Sequence, residues 1–221
     1  MSVQAGRAAL VRAGARIEIF TVCWMVVEAA VSLGAGVLAR SALLVAFGID
    51  SVVELVSGMI LLWRLSVEAR GETTEQVERA EHRAAWVVAV SLALLCVYVL
   101  ATAVYGLLAH SHPESSLSGI AISIAALVVM PGLGLAKRRL ATRLDSLAMR
   151  GDADRSFTCG YMAGAVLLGV GLNALFGWWW AEDVASLLFL FWLVGETREA
   201  LEEAREGHQD NDESVTASPR R

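Results

Sequence analysis

Ser41-Ala-Leu-Leu-Val-Ala-Phe-Gly-Ile-Asp50-Ser-Val-Val-Glu54-Leu-Val-Ser-Gly-Met-Ile-Leu-Leu-Trp-Arg-Leu65 is the stretch whose reading decides the fold. It is long and apolar enough to cross a bilayer, which takes about 20 residues as a helix. No water is available there to satisfy backbone groups, so a spanning segment of this kind must be helical. Two acids lie inside it. Asp50 is nine residues from the start of the stretch and Glu54 eleven from its end, so both sit near mid-depth. Each costs about 2.5–3.5 kcal/mol at the centre of a span. Their four-residue spacing puts them on one helix face, about 6 Å apart along the axis. Two carboxylates that close cannot both stay ionised in a dry site, and a proton or a cation must sit with them. The plainer alternative is that the pair caps a neighbouring helix or binds a basic side chain, for which Arg155 is the obvious partner.

The rest of the chain follows the same pattern. Of its 221 residues 56% are hydrophobic and 19% charged, with a mean hydropathy of +0.56, and the apolar residues cluster in blocks rather than alternating with polar ones. That composition predicts an all-α integral membrane protein, a bundle of six transmembrane helices in a cell membrane. The expected spans are 17–38, 41–65, 84–109, 117–136, 146–176 and 178–204. The sixth is the weakest, because Glu182 and Asp183 interrupt it. Residues 1–16 read as a cytoplasmic N-terminus and not as a secretory leader, since the apolar run behind them is too long and lacks a cleavage site. Residues 205–221 read as a polar, disordered tail. Residues 66–83 form a charged inner loop and 110–116 a short outer one, which leaves no room for a folded cytoplasmic domain.

Lys and Arg set the orientation. With the N-terminus cytoplasmic, the inner segments hold sixteen of the eighteen basic residues. Only Arg40 falls outside, and Arg155 lies within or near the fifth span. By the positive-inside rule both termini are then cytoplasmic, which requires an even number of spans and supports the weak sixth. Trp178, Trp179 and Trp180 then lie at the outer interface, where indole rings are favoured.

The fifth span supplies polar groups that can face Asp50 and Glu54. Asp152, Ser156 and Cys159 fall within about 60° of one another on a helical wheel, with Arg155 at the edge of the stripe. Cys159 matches the depth of the acidic pair, and Asp152 lies about 10 Å nearer the cytoplasm. A thiolate with carboxylates suits zinc or another borderline divalent metal. Simple packing is the competing reading for Cys159; for Asp152 the competing readings are an inner-vestibule acid that feeds the site from the cytoplasm and a partner for Arg150 or Arg155. Glu28, deep in the first span, is open between supporting ligand, proton carrier and partner of a base.

Weaker signals are discounted. His110 and His112 form an H-x-H in the outer loop, and a solvated loop is the simpler account. Glu75, Glu78 and His82 share a face of the inner loop, which fits a solvated, salt-bridged helix. Cys23, Cys96 and Cys159 sit in separate apolar blocks and form no disulfide framework. Gly160 and Gly164 allow close helix approach, and Pro131 predicts a kink. No phosphate loop, nucleophile elbow or HExxH motif is present, so no enzyme is expected. Nucleic-acid binding is likewise not expected, because topology accounts for the inner arginines.

The stretch Val45-Ala-Phe-Gly-Ile-Asp50-Ser-Val-Val-Glu54-Leu-Val-Ser-Gly58 resembles the second helix of the cation diffusion facilitator family, six-helix divalent-metal/proton antiporters that often export zinc. Gly151-Asp152-Ala153 and Gly177-Trp-Trp-Trp-Ala-Glu182-Asp183-Val-Ala-Ser-Leu-Leu resemble that family's fifth and sixth segments. The resemblance covers about residues 16–200 and implies that Asp50 and Glu54 are metal ligands. The family's fifth-helix ligands are His and Asp four apart, and those positions hold Arg155 and Cys159 here. Arg stays protonated and cannot ligate a metal. The chain thus reads as a divergent, transmembrane-only branch without the family's cytoplasmic domain.

Two functions are weighed. The first is a proton-coupled divalent-cation transporter. In it Asp50, Glu54, Cys159 and Asp152 hold the metal, Glu28 and Ser156 support it, and Arg155 modulates the site. Its cargo is zinc first, with Fe, Mn, Co or Cd behind it. The cargo is the only metal expected, since no prosthetic group is implied. The partners expected are the lipid bilayer, divalent ions and protons, with a homodimer possible. The second is a non-transporting scaffold or metal-responsive regulator, with Arg155 in a permanent salt bridge to Asp50 or Glu54.

Overall fold

The structure, a computed structural model, describes residues 2–68, 74–144 and 147–216. Side chains are described for 12–60, 62–63, 85–143, 149–202 and 204–205. Six helices account for nearly all of it: α1 Ser2–Ala39, α2 Ala42–Glu68, α3 Thr74–Ala109, α4 Leu117–Leu144, α5 Leu147–Phe176 and α6 Ala181–Thr216. Among the described residues there is no strand. Five helices contain stretches apolar and long enough to cross a membrane: Arg12–Ala39, Ala42–Ile60, Ala85–Ala109, Leu117–Arg143 and Met149–Phe176. The architecture is a helical membrane bundle.

α6 does not meet the same apolar test, because Glu182 and Asp183 at one end and Glu196, Arg198 and Glu199 at the other leave only residues 184–195 free of charge. Glu182 and Asp183 lie in its first turn, where the partial positive charge of a helix N-terminus favours carboxylates. They sit at the N-terminal end of the helix and not across its middle. Below them Ala185, Phe189 and Leu193 are buried, and α6 packs on α3, α5 and α2.

Several helices are longer than the apolar blocks that predict them. α1 starts at Ser2 and α3 at Thr74, because the flanking Ala, Arg, Gln and Glu residues are good helix formers in water as well. α6 runs to Thr216, into the stretch that composition predicts as tail; good helix formers carry it through Glu206, whereas Gly207, Asp210, Asn211 and Asp212 do not favour helix. Glu75, Glu78 and His82 fall on α3, but their side chains lie outside the described residues. α4 continues through Pro131 as one helix.

α1 and α2 form a tight hairpin. Arg40 takes a left-handed conformation, φ 53°, and Ser41 N donates to Gly36 O at 2.9 Å. That 6→1 bond closes the end of α1. A Cβ at Gly36 would stand 2.7 Å from Val45 N, and one at Gly48 2.9 Å from Leu33 N. The two backbones therefore touch, as small residues allow in lipid. Leu43, Phe47, Leu92, Met130, Met162 and Phe189 fill the interior. Leu38, Tyr105, Leu108, Leu175 and Phe191 point outward and are exposed, the inverse of a soluble protein and the natural finish for a surface in hydrocarbon.

At the outer end, Ser41 Oγ donates to Glu182. Asn173 Nδ2 donates to Glu182 Oε1 at 3.1 Å and to Pro113 O at 3.0 Å. One buried carboxylate thus ties the α1–α2 turn, α5 and the loop before α4 to the head of α6. His110 and His112 pack on Trp179, with ring centroids 4.8 and 5.8 Å apart.

Candidate metal centre

Asp50 and Glu54 project from one face of α2 into the bundle, as their spacing requires. Asp50 is fully buried and Glu54 is 6% exposed. A third acid meets them from α6: oxygens of Asp50, Glu54 and Glu196 all lie within 4.8 Å of one another. Glu196 is itself buried, at 8% exposed. Both carboxylate oxygens of Asp50, both of Glu54 and Oε2 of Glu196 are buried with no hydrogen-bond partner among the described residues. A buried polar group left unpaired costs about 1–3 kcal/mol, and more when charged. An acidic triangle of this kind is stable only with positive charge inside it, as protons or as a cation.

Arg155 supplies part of that charge from α5. Its Nε lies 3.4 Å from Glu196 Oε1, and its Nη1 donates to Ser57 Oγ on α2 at 2.7 Å. The guanidinium thus borders the triangle on its Ser57 side, toward the C-terminal end of α2, in an ion pair with the α6 acid. Thr197, next to Glu196, meets Cys96 of α3 at 3.3 Å.

The other residues singled out in the sequence are distributed around this centre. Cys159 is fully buried, but its thiol donates to Glu28 Oε1 at 3.6 Å and lies outside the triangle of acids. Glu28, also fully buried, accepts from Ser51 Oγ at 2.8 Å and from Trp24 Nε1 at 2.6 Å. With donors on α1, α2 and α5, it is a knot between three helices, and its α2 donor is the residue next to Asp50. Ser156 is spent on its own helix, donating to Asp152 O at 3.1 Å. Asp152 is drawn away from the triangle to Lys137, whose Nζ lies 2.6 Å from Asp152 Oδ2 and 3.0 Å from Glu18 Oε2.

Glu196 escapes a reading by composition because it follows Gly195 in a run of charges that resembles a solvated cytoplasmic helix. A signal was nevertheless present. Ala185, Phe189, Leu193, Ala200 and Ala204 form a buried stripe at helical spacing, and Glu196 falls on it. Lys137 escapes because it sits beside Arg138 and Arg139 and is counted with them as a topology marker.

The chain is similar to known proteins in the same region. It is 26% identical over 158 residues to an uncharacterized transporter of Synechocystis sp., a match that covers 70% of this chain and 51% of that relative. The chain thus spans about half the length of the relative it matches. Residues 19–206, from the middle of α1 to beyond the last described residue of the α6 stripe, match the cation efflux transmembrane domain. With acids from α2 and α6 meeting inside a bundle that matches over most of its length, this multi-pass membrane chain belongs to the cation efflux transmembrane-domain family.

Proposed function

We propose that this chain moves a divalent transition-metal ion across the membrane, with the ion held by Asp50, Glu54 and Glu196 and exchanged for protons on the same acids. The observation that carries the reading is the set of unpaired, buried carboxylate oxygens at the centre of the bundle. Charge supports a dication over a monovalent ion. Three carboxylates and the Arg155 guanidinium leave a formal charge of minus two, which one divalent ion neutralises. Without the ion, protons take its place, and that is the basis of exchange. Alternating access then consists of rocking α2, α5 and α6 around this site.

The donors bear on which metal is carried. The case for zinc leans on its affinity for sulfur, and the Cys159 thiol, although beside Glu54, donates to Glu28 and is not part of the three-acid set. The remaining set is all oxygen, which suits harder ions such as Mn²⁺ or Fe²⁺ better than the nitrogen- and sulfur-seeking Zn²⁺. We therefore rank Mn²⁺ and Fe²⁺ first and keep Zn²⁺, Co²⁺ and Cd²⁺ as competitors.

The test is flux of these five metals into proteoliposomes across an imposed pH gradient. Asp50→Asn, Glu54→Gln and Glu196→Gln are each expected to lower flux at least tenfold. Unchanged flux in all three discards the site. No flux of any metal in the wild type, together with no metal binding, favours the non-transporting reading, with Arg155–Glu196 as a permanent ion pair.

A further inference from the structure

A second buried charge cluster lies on the cytoplasmic side of the metal centre. Lys137 of α4 is 2% exposed, and its ammonium sits between Glu18 of α1 and Asp152 of α5, at 3.0 and 2.6 Å. The cluster adjoins the α2 face that carries the acids. Asp50, Glu54 and Gly58 follow one another at four-residue steps on that face. Glu18 Oε1 lies 3.2 Å from where a Cβ would stand at Gly58. The carboxylate of Glu18 thus takes the next place below Glu54, one helical turn nearer the cytoplasm, and Asp152 lies two turns below Cys159 on α5.

We propose that Glu18, Lys137 and Asp152 form a cytoplasmic gate, in which Lys137 is a tethered cation that closes the route to the metal centre by bridging the two acids. The proposal rests on the transport reading above. Three features support it. The bridge joins three different helices, so breaking it frees α1, α4 and α5 to separate at their inner ends. With both acids ionised its formal charge is minus one, so it attracts an incoming cation even while shut, and a dication competes with the ammonium for the same oxygens. Lys137 is also the single lysine of the chain, the other seventeen Lys/Arg positions all being arginine. A lysine offers a compact point charge on a flexible stem, where arginine offers a rigid planar fork. A group that must hold two acids and then withdraw is served by the former. Extra stability is a poor explanation, because buried ion pairs often contribute little over apolar packing.

Cys159 provides a native reporter, fully buried above the gate. In a Cys23→Ser, Cys96→Ser background, a membrane-impermeant methanethiosulfonate is applied to inside-out and right-side-out vesicles. Labelling of Cys159 is expected to be slow from both faces. Lys137→Gln should speed it at least tenfold from the cytoplasmic face alone, and Lys137→Arg should return it most of the way. Asp152→Asn, which removes one anchor and leaves the lysine, should give several-fold acceleration with the same sidedness. It decides the matter if Lys137→Gln does not fold. A rate unchanged in folded Asp152→Asn, or raised equally from both faces, overturns the gate. Flux is not part of this readout. Sided labelling with flux unaltered by the three acid substitutions would sink the proposed function and leave the gate standing.

Discussion

Glu196→Gln is the sharpest test of the centre, because the sixth-helix acid is what turns a pair into a triangle. The substitution keeps the shape of the side chain and removes one negative charge. Unit charges 4.8 Å apart interact by about 3.5 kcal/mol at an effective dielectric constant of about 20. A dication at that distance would feel about 7 kcal/mol from Glu196, again at that dielectric. The net loss is smaller, because protons hold part of the charge in the metal-free state and because the substituted amide still offers a carbonyl oxygen. Mutational costs at buried charged groups, about 2–5 kcal/mol, bound it from experience. We expect about 2–4 kcal/mol, which is roughly a 30- to 1,000-fold rise in Kd. Titration of purified protein with Mn²⁺ at fixed pH, by calorimetry or competition with a fluorescent chelator, measures it. Glu196→Asp, which keeps the charge, should recover most of the affinity. A Kd within threefold of wild type for Glu196→Gln would refute the reasoning, since a buried carboxylate within 4.8 Å of the two other acids could not be inert toward a dication held among them.

Three further outcomes follow from the same geometry. Arg155→Gln takes the formal charge of the centre from minus two to minus three, so metal should bind tighter by about tenfold while flux at saturating metal falls; weaker binding in a direct titration would contradict the role given to Arg155. Glu28→Ala removes the acceptor shared by Trp24, Ser51 and Cys159, and should lower stability in detergent by about 1–3 kcal/mol, read as a fall in the thermal midpoint. Gly48→Leu pushes a side chain against the α1 backbone at Leu33, and overpacking of that kind costs about 1–3 kcal/mol or more; an unaltered melting profile would show that the hairpin is looser than described.

How much of this was legible in the sequence depends on which physical rule governed each residue. The spans were legible because hydrocarbon imposes one requirement on every residue in them. The first five apolar blocks duly reappear as helices that qualify to cross a membrane. Asp50 and Glu54 were legible because a charge in an otherwise unbroken apolar run has no bland explanation. Glu196 and Lys137 were not, because each lies in charged company near a membrane surface, where solvation explains a charge cheaply. Distinguishing them takes the burial of the opposite helices, which a one-dimensional pattern does not contain. Asp152 was singled out as a metal ligand, with Arg150 or Arg155 as the competing partners, and the structure pairs it instead with Lys137, whose charge had been assigned to topology. Glu182 and Asp183 were misleading in the opposite direction. They weakened the sixth span on paper because a window of hydropathy cannot separate the first turn of a helix from its middle.

The placement of positive charge explains why two buried clusters in one bundle need not do the same work. The centre has three acids against one guanidinium, and the inner cluster two acids against one ammonium. The first is therefore short by two positive charges and the second by one. A divalent ion satisfies the first fully, whereas at the second it must displace the lysine or leave the cluster overcharged. On the proposed transport reading, the inner cluster is thus a place of passage and the centre a place of rest. The bases match that division. The guanidinium of Arg155 is fixed by Ser57 and Glu196 on two helices and remains as a boundary of the centre whether or not metal is present. The ammonium of Lys137 is held only by the acids it bridges among the described residues, so the event that draws those acids away also releases it. Exchanging the two bases, by combining Arg155→Lys with Lys137→Arg, should therefore preserve the net charge of both clusters and still impair flux, whereas a mechanism that depended on charge alone would tolerate the exchange.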